Sequence, residues 1–329
     1  RFTWYRWQVT LVSKPASEEG PDAPLARRET GEARGGDLTS LVGISSVSRP
    51  FEQARPAFVD LSDEYGFRNA PPVTNRWFPI VAVGDSFMVS GATMTNMFST
   101  CLSRISGREV YCYGWAGRGT LFTVVRFLGD ERFAGNPPRV MVWGLLEREI
   151  GGDMLSDLVN RLKRIDGKSA AGAGGEAPRF NWSALAPKSI QKSWPSSSMI
   201  AQASRKAWNR IRYYVFGQIT PDVAIATAPV GGQPVLFYTW SVDAMKWTPE
   251  ERKPGKVVDT LKFLDSFCAA RGIALVVMLI PDKEQVYREL LPPEFNTPES
   301  PIPESTLIAI EQGLRREGVH VVNLLGPFR

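Results

Sequence analysis

The chain has 329 residues, long enough to bury a proper core as one large domain or two small ones, which excludes a peptide-sized scaffold. With 43% hydrophobic and 22% charged residues it sits near the globular average, so wholesale disorder is excluded, while 29 Gly and 25 Pro assign much of the chain to turns and loops. The net charge of +5 is local: residues 151–220 hold eleven Lys or Arg against four Asp or Glu, and the remainder is slightly acidic.

Residue 1 is Arg and no apolar signal core follows it, so the natural N-terminus is expected upstream. The opening Arg1-Phe2-Thr3-Trp4-Tyr5-Arg6-Trp7 suits either a membrane-interface segment or an ordinary edge strand. Residues 1–57 read as a lead-in or linker, juxtamembrane in the first case, because 13–57 are rich in Pro, Gly, Ser, Arg and Glu and lack periodicity. The longest apolar run, Ile273 to Ile280, has eight residues, too few to span a bilayer.

From Pro79 onward short apolar runs alternate with stretches of helical period, the pattern of a parallel α/β sheet. Pro79–Val83 is a strand, followed by a helix whose Met94, Met97, Phe98, Cys101, Leu102 and Ile105 form one sheet-facing stripe. Val110–Tyr113 and Val140–Trp143 are further strands, separated by a helix carrying Leu121, Val124, Val125 and Leu128. A helix through Met154, Leu158, Leu162 and Ile165 leads into a basic insertion, 151–232, after which the alternation resumes. The strand Pro234–Tyr238, a helix through Val257, Leu261, Leu264 and Cys268, and the strand Ile273–Ile280 come next. That last strand is apolar throughout, as one covered on both faces must be. Asp282 and Gln285 then suggest a capping box, and a helix over Leu307–Leu314 precedes a strand at Val319. Beyond it, the chain to Arg329 reads as the approach to a further element.

Ligands in an open parallel sheet bind outside the carboxyl ends of the strands. Gly84-Asp85-Ser86-Phe87, at the first such point, sets a serine at a strand-to-helix turn, where free backbone N–H groups suit a nucleophile and its oxyanion. The plainer alternative is that Asp85 or Ser86 merely caps the helix. At the second point, Gly114 to Gly119, glycines let a backbone amide approach a substrate oxygen. At the third, Trp143-Gly144-Leu145-Leu146-Glu147-Arg148, the arginine either holds an anion or ties to Glu147 or Glu149. Cys101, Cys112 and Cys268 form no CxxC, so neither a disulfide framework nor a zinc site is supported, and all three read as core. His320 is the only histidine and, behind Gly318, reads as structural.

These blocks together resemble the SGNH (GDSL-type) hydrolase superfamily. Gly84 to Phe87 matches its first block, and Asp63-Glu64-Tyr65-Gly66-Phe67-Arg68-Asn69 is similar to the D-x-x-G-F-R lead-in of many members. Tyr113 to Gly117 looks like the second block, with Cys112 where Asn is frequent. Trp143 to Arg148 resembles the W-E-x-x-E-R signature of the SGNH-like polysaccharide O-acetyltransferases of the AlgX/AlgJ type, with Gly144 for the first Glu. Ile280-Pro281-Asp282-Lys283 through Tyr287 is similar to their I-P-x-K-x-x-x-Y segment. The resemblance covers about Asp63 to Asn323.

It implies a three-layer, flavodoxin-like α/β domain over 58–329 that moves an acetyl group to a hydroxyl of an exported or cell-surface polysaccharide. An SGNH carbohydrate esterase and a non-catalytic glycan-binding subunit of a secretion complex are the alternatives. On this resemblance Ser86 is the nucleophile, Gly117 and Arg148 serve the oxyanion, and Asp85, Gly114, Trp143, Glu147 and Lys283 support them. The Asp/His pair of a D-x-x-H or D-x-H-W motif is expected beyond Arg329. Trp182, Trp194 and Trp208 of the basic insertion are expected to grip the glycan, a solvated insertion being the duller reading. The implied partners are a polysaccharide acceptor and an acetyl donor supplied by a membrane acyltransferase, with no metal, cofactor or nucleic acid. The implied location is the periplasm or cell envelope, with peripheral or anchored membrane association.

Overall fold

In the computed structural model, residues 26–29, 58–89, 94–115, 119–150, 154–170, 207–212, 214–215, 223–227, 235–245, 249–295 and 305–329 are described. Five runs of mostly aliphatic and aromatic residues pair into one sheet: β1 (Ile80–Gly84), β2 (Val110–Gly114), β3 (Val140–Leu146), β4 (Ala274–Ile280) and β5 (His320–Asn323). Every pairing is parallel and the order is β2-β1-β3-β4-β5, the flavodoxin-like arrangement of an α/β fold.

The side-chain period of two divides the sheet cleanly. Val81, Val83, Tyr111, Tyr113, Met141, Trp143, Leu145, Leu275, Val277 and Leu279 enter the larger core. Against that face pack α3 (Thr120–Leu128), α4 (Met154–Ala170), α7 (Pro254–Ala269) and α9 (Ser305–Arg316). Their buried residues, Val124, Leu158, Leu162, Leu261, Leu264 and Leu314 among them, recur at helical spacing. On the opposite face Ala82, Leu146, Met278 and Ile280 form a smaller cluster with Met88 of α1 (Ser86–Val89).

Three expectations are corrected. Leu236–Tyr238 does not join the main sheet; it pairs antiparallel with Val223–Ile225, because a three-residue apolar run carries no sign of its partner. The stripe from Met94 to Ile105 is broken at Met97, whose extended backbone separates a 3-10 turn, Met94–Asn96, from α2 (Phe98–Ser106). The break resets the helical phase, so Met97 is fully buried while Ile105 is 81% exposed; Cys101 on the same helix is only half-buried, whereas Cys112 and Cys268 are core. The lead-in is also not wholly irregular, since Ala26–Glu29 pairs antiparallel with Phe58–Leu61. The remainder of 1–57, and most of the insertion 151–232 beyond Ala170, lie outside the described residues.

Residues 63–69 brace the first two strands. Buried Asp63 accepts the backbone N–H groups of Tyr65 and Phe67 through Oδ1, and the Asn69 amide and Tyr111 hydroxyl through Oδ2. Asn69 in turn accepts the Cys112 N–H at 2.8 Å and donates to the Cys112 carbonyl at 3.1 Å, so its side chain occupies the outer edge of β2. Arg68 donates to the Val89 carbonyl at the end of α1.

Candidate functional site

The strand order reverses between β1 and β3, since the chain leaves β1 for β2 on one side and returns to β3 on the other. The carboxyl ends of β1 and β3 therefore flank the crevice of a topological switch point. Ser86 leaves one wall and Arg148 the other: α1 begins directly after β1, and a 3-10 turn, Glu147–Glu149, directly after β3.

Glycines seat the serine turn. Gly84 pairs with Gly114, and Gly144 follows the Val83–Trp143 pair, so three glycines stand level on adjacent strands. A Cβ on Gly84 would lie 2.3 Å from Met88 Cγ, one on Gly114 2.4 Å from Val89 Cγ1, and one on Gly144 2.8 Å from Met88 Sδ. The missing side chains form a notch into which Met88 and Val89 sink, drawing the turn onto the sheet edge. This is the physical reason for Gly144 in the third block.

Asp85 does cap the turn, accepting the Phe87 N–H through Oδ1 at 3.0 Å, and Ser86 is left as the first helical residue. Burial, aided by the Glu149 charge, pushes the Asp85 carboxyl up to about 6, against the opposing pull of the Phe87 N–H and Arg148.

Arg148 pairs with neither of its neighbours. Its Nη1 donates to Asp282 Oδ1 at 2.8 Å, joining β3 to the loop after β4, and its guanidinium lies 5.5 Å from the centre of the Phe87 ring. Asp282 stands at the N-cap of α8 (Lys283–Val286) but makes no side-chain cap, so the expected capping box is replaced by this ion pair. Its Oδ2 is buried with no hydrogen-bond partner among the described residues. Glu149 ties to α3, accepting the Thr120 N–H at 2.8 Å and its hydroxyl at 2.5 Å. Buried Glu147 accepts the Asp282 N–H at 3.1 Å and stands 3.7 Å from the buried Arg252 guanidinium of α6 (Pro249–Arg252).

Five carboxyls, of Asp85, Glu147, Glu149, Asp282 and Glu284, thus crowd around the cations of Arg148, Arg252 and Lys283. Burial, then repulsion from Asp282, raises Glu147 to about 8; the same causes raise Glu284 to about 7. The cluster therefore holds protons at neutral pH. Among the described residues no His, Cys, Asp and Glu group is arranged to hold a metal ion.

The remaining predicted residues divide. Gly114 ends β2 beside Gly84, whose carbonyl accepts the Trp115 N–H at 3.0 Å. Trp143 is buried in the larger core and reaches the site only through α3, its Nε1 donating to the Thr120 carbonyl at 3.2 Å. Lys283 donates to the Leu236 carbonyl at 2.8 Å, joining the small antiparallel pair to the site, and burial lowers its ammonium. Gly117, Trp182 and Trp194 lie outside the described residues, while Trp208 is 56% exposed on a helical segment. His320 starts β5, level with Ala82 through Val142 and Val276. Three strand spacings, about 14 Å, separate it laterally from β1, so it serves no base role at Ser86. Asp282, Glu149, Arg252 and Glu284 complete the cluster; the sequence marks Asp282 as a helix cap and as part of the I-P-x-K resemblance, and Glu149 as a tie for Arg148, but carries no sign of Arg252 or Glu284.

Comparison of the chain with family models, with curated proteins and with solved structures finds no match.

Proposed function

We propose that this is an SGNH-type serine acyltransferase that moves an acetyl group to a hydroxyl of an exported or cell-surface polysaccharide. The observation that carries the reading is the placement of Ser86 and Arg148 just after the adjacent strands β1 and β3 at the switch point, with Arg148 held by Asp282 at 2.8 Å. Ser86 Oγ attacks the acetyl carbonyl carbon, and the negative oxygen that forms is met by the Ser86 and Gly117 amides and by the Arg148 guanidinium. Collapse expels the donor's leaving group and leaves acetyl-Ser86. A sugar hydroxyl then attacks that ester, restoring the serine. The base that accepts the Ser86 proton belongs, in this reading, to a D-x-x-H or D-x-H-W segment outside residues 1–329.

An SGNH esterase would pass the same acyl group to water, and a glycan-binding subunit would form no acyl-enzyme. The test uses the natural full-length protein, wild type beside Ser86→Ala, with an activated acetyl ester, with and without a glycan acceptor. Acetyl-Ser86 trapped by mass spectrometry, with acetate passing to the glycan, supports transfer. Release to water alone assigns an esterase, and an inert wild type overturns serine catalysis.

A further inference from the structure

The helical residues 207–212 and 214–215 present an inverted surface. Asn209 is buried, whereas Trp208, Ile211, Tyr214 and Val215 are 56%, 47%, 69% and 67% exposed. Trp208, Ile211 and Val215 share one helical face by their spacing of three and seven, so the outward face is aromatic and aliphatic while a polar residue points inward. Arg210, exposed, and Arg212, half-buried, belong to the same segment. From Ala177 to Pro221 the sequence holds seven Lys or Arg and no Asp or Glu.

We propose that this face docks onto an anionic lipid surface. Trp and Tyr suit the headgroup level, and Ile211 and Val215 add aliphatic groups that enter the acyl boundary. Those two decide between partners: a sugar ring stacks on Trp or Tyr but gains little from Ile or Val. Arg210 and Arg212 on the same segment, in a stretch of sequence without an acidic residue, give the charge complementarity to anionic headgroups, an attraction that salt screens. The proposal stands apart from the chemistry of Ser86.

The test is vesicle co-sedimentation of the full chain with phosphatidylcholine alone and with phosphatidylcholine plus phosphatidylglycerol. The expected result is binding to the anionic vesicles only, weakened by salt and lowered roughly tenfold in Ile211→Ser/Val215→Ser and in Arg210→Gln. These positions are at the surface, and unchanged circular dichroism melts would verify that the variants fold. Absence of binding, equal binding to neutral vesicles, or indifference to Ile211 and Val215 overturns the proposal. Two further outcomes also overturn it. Capture by an anionic polysaccharide lost in Trp208→Ala, without vesicle binding, assigns the face to glycan. Self-association lost in Ile211→Ser assigns it to a second copy.

Discussion

Adding a methyl group at Gly84 tests how the serine turn is seated. The new Cβ would lie 2.3 Å from Met88 Cγ and 3.4 Å from Met88 Cβ, both near the root of a fully enclosed side chain that cannot swing aside. Overpacking of this kind costs about 1–3 kcal/mol, and the severity here sets Gly84→Ala near the upper end. Gly144→Ala meets softer neighbours, Met88 Sδ at 2.8 Å and the Ile280 Cδ1 tip at 3.1 Å, and is expected to cost about 1 kcal/mol. Met88→Ala alone opens a cavity, at about 2–5 kcal/mol. In that background the obstruction is gone, so Gly84→Ala should cost under about 0.5 kcal/mol. The assay is thermal unfolding of the four proteins of the cycle, in which 1 kcal/mol moves Tm by about 2–4 °C for a unit of this size. Costs that add to within about 0.5 kcal/mol would refute the notch, because independent sites add.

Removing Glu147 as Glu147→Leu leaves the buried Asp282 N–H without its acceptor and the Arg252 guanidinium without its neighbouring carboxyl oxygen, and should cost about 1–3 kcal/mol, read from urea midpoints. Because the raised carboxyls of Asp85, Glu147 and Glu284 bind protons more tightly in the folded chain, their stabilisation is full below about pH 4 and is lost as pH rises through about 6 to 8. Tm should therefore fall between about pH 5 and pH 8.5, with a shallower fall in Glu147→Gln; a flat wild-type profile contradicts the cluster. Brief native alkylation near pH 8 should mark Cys101 alone, since burial pushes Cys112 up to about 11 and Cys268 up to about 12, whereas unfolding should expose all three to mass-spectrometric detection. In the natural full-length protein Arg148→Ala should lower kcat for an acetyl ester by about a hundredfold with little change in KM, and an unchanged kcat would remove Arg148 from the oxyanion site.

Local periodicity carried the parts of the fold that local physics decides. Strands such as Ile273–Ile280 were visible because a sheet covered on both faces requires an unbroken apolar run, and Leu261, Leu264 and Cys268 spelled out a helix face. Pairing was harder to see: Leu236–Tyr238 looks like another parallel strand until its partner, Val223–Ile225, is known. The Ser86 turn was legible because a glycine, a capping Asp and a helix start are adjacent in sequence. The partner of Arg148 was not, since Asp282 lies 134 residues away and its type and place suited a helix cap. Arg252 carries no motif, and only its burial against Glu147 marks it.

Asn69 guards one edge of the sheet. A bare outer strand is a template for another chain, and β2 would be one if its Cys112 N–H and carbonyl were open. Both are occupied by a side-chain amide that imitates a neighbouring strand for a single residue and then ends. A plug of that size blunts the edge at one position without contributing a new edge. Among the described residues the outer edge of β2 is thereby occupied at its middle residue, where a second chain would need to pair.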